Sequence, residues 1–432
     1  MLLTGWGRYP RIQARGRSFE TLEQAQKYLQ GPEEMIVHGL GRSYGDSALN
    51  DRVLFTRRFN KILHFDPEGG LLTCESGFTL AELLQVFLPR GWFLPVTPGT
   101  KFVTVGGAIA SDIHGKNHHQ AGCFSEYVDS LDLLLPQGEV VRVSPKENRP
   151  LFLATCGGMG LTGVILQATL RLKPVKSALI RETVIRCADL AEVFRRIEAN
   201  RAATYSVAWI DCLAPEGQLG RSLLRLGEHA ETGRLHRAAE KNFSIPLELP
   251  SFCLNRYAIK IFNRLYYQKG GDLVAGRLVP LDDFFFPLDR IGHWNRMYGR
   301  RGFTQYQLAL PKAASFAGLR EILRRLAAAG MGSFLGVLKL LGRQNDNYLS
   351  FPLEGYTLAV DLKIDGKLFP FLDELDRVVL DHGGRLYLTK DVRMSGETFR
   401  RGYPRWEQFA GLREKMGLKR KYNSLQSKRL GV

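Results

Sequence analysis

The chain has 432 residues, with 60 Lys+Arg against 43 Asp+Glu and a formal net charge of +17. At 44% hydrophobic and 24% charged residues the composition is globular, which excludes a disordered or collagen-like chain and leaves room for two domains with cores of their own. No apolar run reaches the roughly 18 residues of a membrane span, and the first residues carry no apolar stretch behind a basic one. The expected location is therefore cytoplasmic or peripheral on a membrane, without a signal peptide. Cys74, Cys123, Cys156, Cys187, Cys212 and Cys253 include no C-x-x-C pair, which fits reduced thiols rather than a disulfide framework or zinc ribbon. Beyond simple solubilisation, the basic excess suits an anionic partner: nucleic acid, a membrane surface or a phosphorylated substrate.

Up to about Pro174 the sequence consists of short β-like runs between glycine loops, such as Met35–His38 and Leu71–Gly77. Thr79 followed by Glu82 and an apolar 3.6-residue period predicts a capped helix through Phe87. Asp129–Leu135 and Val140–Val143 flank a Gly-containing turn and predict a hairpin. After Val175, helical periodicity marks Ala188–Ala199, Ala313–Ala329 and Phe369–His382. Strand alternation marks Ser206–Asp211, Phe303–Leu310 and Leu358–Ile364. Gly217–Phe252 is basic and poorly periodic, and is expected to be a mobile loop. Gly383-Gly384 ends the last of these helices before Arg385–Leu388. Strands and helices without strict βαβ alternation give an α+β class.

Three glycine-dense segments concentrate the chemistry. His38-Gly39-Leu40-Gly41-Arg42-Ser43-Tyr44-Gly45-Asp46 is a strand running into a loop whose backbone N–H groups can converge on an anion. Tyr44 stands where a dinucleotide fingerprint needs glycine. Pro98-Gly99-Thr100 through Gly106-Gly107-Ala108-Ile109-Ala110-Ser111-Asp112-Ile113-His114-Gly115-Lys116-Asn117-His118-His119 is rich in small residues, as a backbone lying against a bulky ligand would be. Its three histidines lack a Cys or well-spaced carboxylate to complete a ligand set, and Gly115 interrupts the helix that ligation would need, so no metal is assigned. Gly158-x-Gly160-x-x-Gly163 matches the dinucleotide fingerprint literally. The adjoining run Val164–Leu172 alternates as a strand instead of opening a helix, which rejects a Rossmann site.

In this order the segments resemble the FAD-binding domain of vanillyl-alcohol-oxidase-type flavoenzymes. Gly39–Asp46, Val103–Gly122, Trp209 with Asp211, Gln305-Tyr306-Gln307, Lys339-Leu340, and Gly384–Tyr387 with Lys390-Asp391 narrow the resemblance to the decaprenylphosphoryl-β-D-ribose 2'-oxidase family over almost the whole length. The resemblance implies a discontinuous FAD domain, residues 1–176 with 384–432, and a mixed-sheet substrate domain, residues 177–383. It implies oxidation of a secondary sugar hydroxyl to a ketone with hydride passing to flavin, at C2 of a polyprenylphosphoryl pentose, as the oxidative half of an epimerisation completed by a separate short-chain reductase.

The implied FAD contacts are Gly39, Leu40, Gly41, Arg42, Ser43, Tyr44, Pro98, Gly99, Thr100, Gly106, Gly107, Ala110, Ser111, Ile113, Gly115, Asn117, His118, Gly160, Gly163 and Tyr387. Arg42 occupies the position at which many relatives attach flavin through histidine, so the FAD is expected to be non-covalent. Lys390 takes the family's catalytic lysine position, as a base or as a stabilising cation, with His114 and Tyr387 beside it. Trp209, Tyr267, Gln305, Gln307, Lys339, Thr357 and Ala359 are the implied substrate side. Thr357 and Ala359 replace the family's asparagine and cysteine, and Gly417-Leu418 and Ser424-Leu425 replace its Asp-Pro and Ser-Asp.

The rival enzyme is an FAD-dependent alditol or sugar-lactone oxidase, whose His-Trp-x-Lys type of site is not matched by Tyr387-Leu388-Thr389-Lys390. A nucleic-acid binder would need a finger, RRM-type or helix-turn-helix motif, and none is evident. The implied partners are thus a lipid-linked phosphosugar and an anionic membrane surface, not nucleic acid.

Overall fold

The computed structural model describes residues 1–236, 243–248, 250, 254–271 and 273–432. Near the N-terminus a parallel three-stranded sheet contains β1 (Arg15–Ser18), β2 (Ile36–His38) and β3 (Arg52–Phe55), with β3 in the middle. Next in the chain is an antiparallel five-stranded sheet of β4 (Ile62–Asp66), β5 (Leu71–Glu75), β6 (Val128–Leu134), β7 (Val140–Val143) and β8 (Val164–Arg171), in the order β7-β6-β8-β5-β4. Its alternation is read directly in β5 and β8. Leu72, Cys74, Ala168 and Leu170 turn into the core, while Thr73 and Thr169 meet on the other face through a 2.9 Å hydroxyl hydrogen bond. Helix α1 (Leu80–Phe87) starts at the Thr79–Glu82 capping box, and the short helix α2 (Val105–Ala110) is capped by Thr104. The last glycine motif runs into β8, as its alternation requires.

The larger sheet has eight strands: β9 (Leu179–Cys187), β10 (Tyr205–Ile210), β11 (Ser222–His229), β12 (Leu273–Pro280), β13 (Phe303–Pro311), β14 (Gly336–Leu341), β15 (Gly355–Lys363) and β16 (Arg385–Leu386). They run in the order β12-β9-β11-β10-β14-β15-β13-β16. Every pairing is antiparallel, whereas a mixed sheet was the expectation. Helices α3 (Leu190–Ala199), α5 (Lys312–Ala329) and α6 (Leu368–Asp381) each cross from one strand to the next but one, β9 to β10 past β11, β13 to β14 past β15 and β15 to β16 past β13, and so join strands of like direction with an antiparallel strand between them. A further helix, α4 (Arg256–Lys269), leads toward the edge strand β12.

The central strands β10, β13 and β15 are buried along nearly their whole length, and a period of two divides their faces. Ala208, Ile210, Tyr306, Leu308, Leu310, Leu358 and Val360 pack into the core with Leu319, Ile322, Leu323, Leu372 and Leu375 of α5 and α6. The alternate residues face the other way and form the floor of a large cavity.

The expected loop over Gly217–Phe252 requires correction. Ser222–His229 is β11, an interior strand between β9 and β10. Leu224 and Leu226 enter the core, while Arg225 takes the opposite face and Gly227 makes room for the Phe284 ring. The arginine and glycine disguised the alternation. Residues 237–242, 249 and 251–252 of that stretch lie outside the described residues. Among the described residues, no helix is long and apolar enough to cross a membrane.

Candidate active site

A cavity of about 720 Å³ separates the glycine segments from the floor of the eight-stranded sheet. That volume falls within the range of cofactor and ligand sites. One wall is mainly backbone. Gly39, Leu40, Gly41, Arg42, Ser43 and Tyr44 line it with Pro98, Gly99, Thr100, Gly106, Gly107, Ala110, Ser111, Ile113, Gly115, Gly160 and Gly163. A Cβ built on Gly99 meets nothing within 4 Å and points into unfilled space, so a side chain there would occupy volume now open to a ligand. The Ser76 hydroxyl, on the same wall, is buried with no hydrogen-bond partner. A backbone cradle with a hydroxyl left free to bond fits a large ligand rich in polar atoms, and FAD is of that kind. Arg42 stacks 4.5 Å over the Trp6 ring and donates to the Leu40 carbonyl, which holds its guanidinium at the cavity edge.

The first loop is locked to the C-terminal segment by close approach. A Cβ on Gly45 would lie 1.9 Å from the Asp391 carbonyl oxygen, so only glycine fits. Tyr44 N–H donates to the Thr389 carbonyl at 3.0 Å. Arg429 bridges Asp46 at 2.8 Å and Asp391 at 3.0 Å, tying the same two segments through charge. As a result the Lys390 ammonium sits 3.8 Å from the centre of the Tyr44 ring.

The histidine segment is held equally firmly. Asp112, with φ of 39°, is buried. Its carboxylate accepts hydrogen bonds from Asn345 at 2.7 Å, Asn347 at 2.8 Å, Ser350 at 2.6 Å and the Ser125 N–H at 3.1 Å. This fixes His114 beside Phe351 and Tyr387, with ring centroids 5.5 and 5.3 Å away. Gln307 Nε2 lies 3.2 Å from His114 Nε2, and burial followed by the charge of Lys339 holds the imidazole well below its ordinary pKa. Both effects favour the neutral ring, and His114 Nδ1 is buried with no hydrogen-bond partner. The Tyr387 hydroxyl donates to the Ser111 carbonyl at 3.1 Å.

Sheet register composes the opposite wall. Trp209, Val337, Ala359 and Gln307 face one another across four adjacent strands, and the next row pairs Lys339 with Thr357. All but Thr357 line the cavity, as do Gln305 and Lys390. Gln305 donates to buried Asp361 at 2.6 Å, and burial pushes the Asp361 carboxyl upward. Burial lowers the Lys390 pKa, an effect partly offset by the charge of Asp361. Lys339, with burial alone acting on it, falls to about 8.

Thr357 is beneath the floor, where its hydroxyl accepts from Gln307 at 3.3 Å. Asn117 turns away to the Pro95 carbonyl at 2.8 Å. His118 also leaves the cavity: its Nδ1 accepts from the Gly342 N–H at 3.0 Å and its Nε2 contacts Cys123 Sγ at 3.4 Å. Tyr267 faces the other side of α4, bonding the Cys187 carbonyl at 3.2 Å, because the helix turns its neighbour Tyr266 toward the cavity and Trp209.

The sequence reading missed two cavity cations. Lys116 donates to the carbonyls of Phe284 and Phe285, and burial followed by the charge of Arg225 holds its pKa well below the ordinary lysine value. Arg225 pairs with Glu182, a carboxylate shared with Arg277. Lys116 lies within the histidine-rich string, whereas Arg225 lies in a strand whose arginine and glycine interrupt the apolar alternation.

The family model of an FAD binding domain matches residues 17–144. Decaprenylphosphoryl-β-D-ribose oxidase of Mycolicibacterium smegmatis is 37% identical over 430 residues, covering 95% of this chain and 93% of that protein. The chain belongs to the decaprenylphosphoryl-β-D-ribose oxidase family. It is an FAD-dependent oxidoreductase of the vanillyl-alcohol-oxidase type with an α+β fold. More partial likenesses are to D-lactate dehydrogenase of Anaerostipes hadrus, 32% identical over 28% of this chain and 27% of that protein, and to human Delta(24)-sterol reductase, 31% identical over 27% of this chain and 22% of that one.

Proposed function

We propose that the enzyme oxidises the C2 hydroxyl of a polyprenylphosphoryl pentose to a ketone, with FAD held non-covalently against the glycine wall. The observation carrying this reading is the pairing of that wall with a floor bearing Lys390 and Lys339, flanked by Lys116 and Arg225. Bound FAD supplies the hydride acceptor. The protein's task is to place the sugar C–H toward it and remove the hydroxyl proton, since the alkoxide releases hydride more readily. Lys390, with its pKa lowered by burial, takes that proton as a neutral amine. Gln305 and Gln307 orient the sugar, and neutral His114 with Tyr387 fixes the geometry beside it. Lys339 and Arg225 balance the phosphoryl charge. The glycine wall and Lys390 belong to an FAD domain of residues 1–176 and 384–432, and the rest of the floor to a substrate domain of residues 177–383. A short-chain reductase then reduces the ketone to the epimeric alcohol. The basic excess draws the enzyme to an anionic membrane surface, where its lipid-linked substrate resides.

Anaerobic flavin bleaching by phosphoryl-linked pentoses, free pentoses and alditols tests the substrate. The phosphoryl-linked pentose should bleach fastest, and Lys339→Met should erode that preference. Equal bleaching by a free alditol would replace this reading with an alditol oxidase. Acid precipitation should release the yellow chromophore into the supernatant; flavin remaining in the pellet would contradict non-covalent binding.

A further inference from the structure

Helix α4 is amphipathic with its apolar side outward. Ile259, Asn263 and Tyr267, spaced by four, secure it: Ile259 and Asn263 are buried, and Asn263 Nδ2 donates to Asp211 at 2.7 Å and to the Ser333 carbonyl at 3.2 Å. At about 100° per residue, positions two before these lie roughly opposite. There Tyr257, Ile261 and Leu265 form a row 63%, 62% and 60% exposed. An apolar row so open to water is costly in a molecule that remains wholly in water.

The flanks of this row differ. On one side Arg256, Lys260 and Arg264 form an exposed basic row. On the other, Phe262 and Tyr266 stack with ring centroids 5.8 Å apart. Phe262 also meets Phe334 at 5.3 Å, and Tyr266 meets Trp209 at 4.8 Å within the cavity lining. Apolar surface therefore continues from the exposed row, over the aromatic pair, to the cavity itself.

We propose that this face of α4 docks into the headgroup region of an anionic lipid bilayer, with Tyr257, Ile261 and Leu265 inserted and Arg256, Lys260 and Arg264 against lipid phosphates. A basic row beside an apolar row on one helix is the pattern of an interfacial helix. Docked in this way, the molecule presents the aromatic pair and cavity to the membrane, so a polyprenyl chain keeps contact with lipid while its sugar reaches Lys390. The inference rests on the lipid-linked substrate of the proposed function.

The test uses the flavin-loaded full chain and vesicles of phosphatidylcholine with or without phosphatidylglycerol. The native enzyme should sediment with the anionic vesicles at low salt. Ile261→Glu with Leu265→Glu should reduce the bound fraction about tenfold or more, while flavin absorbance and bleaching by a short-chain, water-soluble phosphoryl pentose stay unchanged. Lys260→Glu with Arg264→Glu should abolish the preference for phosphatidylglycerol. Native enzyme that never sediments, or an Ile261/Leu265 variant that sediments like the native one, overturns the proposal. So does a native dimer that the same variant converts to monomer without either form binding vesicles. If vesicles bind but the phosphoryl pentose leaves the flavin oxidised, docking stands and the substrate reading fails.

Discussion

One wall of the cavity meets a ligand with backbone, the other with side chains thrown up at every second residue of a sheet. On the first, glycine is required by what lies behind it or by the space before it. On the second, register aligns Trp209, Val337, Ala359 and Gln307 across four strands, while the alternate residues secure the sheet to its helices. Function and stability are therefore separable residue by residue on the floor, but not where the glycine wall joins the rest of the protein.

The largest effect should come from removing the floor's reacting group. Lys390→Ala is expected to remain yellow while flavin reduction by substrate slows by about 10²–10⁴-fold, the usual contribution of a positioned acid–base group, as measured by anaerobic stopped-flow. A variant that reduces flavin at nearly the native rate would remove Lys390 from the chemistry. Gly45→Ala should do the reverse. Its methyl has no space beside the Asp391 carbonyl, so a loss of roughly 1–3 kcal/mol, or more, is expected in thermal or denaturant unfolding. Unchanged stability would refute the locked junction.

A smaller effect sharpens the electrostatics. A lysine held below its ordinary pKa gains its neutral form at lower pH, so flavin reduction should rise with pH and level off below the ordinary lysine range. The Asp361 charge favours the ammonium, and Asp361→Asn should shift that rising limb to lower pH; a shift to higher pH contradicts the assignment. The smallest expected change is Gly99→Ala. With no neighbour behind it, the variant should unfold like the native protein yet bind FAD a few-fold more weakly, measured by flavin fluorescence titration.

The backbone wall was legible in the sequence because its glycines sit in contiguous strings, and the Thr79–Glu82 box announced its helix just as locally. The floor was legible only through resemblance, since register brings together residues as distant as Trp209 and Gln307. Tyr267 shows the limit: one helical step of about 100° decides which of two adjacent tyrosines reaches the site. Arg225 shows another, because strand alternation fails as a signal when one face is a cavity needing charge. Asn117 and His118 belong to a string whose spacing marks the family, yet their side chains secure the loop to Pro95 and Gly342.

The tie between Arg429 and Asp46 spans 383 residues of sequence. Leu425 also donates its N–H to the Leu49 carbonyl at 2.8 Å, and Asn423 donates to that of Met35 at 2.9 Å. During synthesis the first glycine loop thus waits for Arg429, 383 residues beyond Asp46, before its closing partner exists. Contacts of such long sequence separation form late because loop closure must be paid first. Completion of the first glycine loop consequently waits on the segment around Arg429, and a growing chain that has not reached it holds an open clasp where the folded enzyme has a closed one.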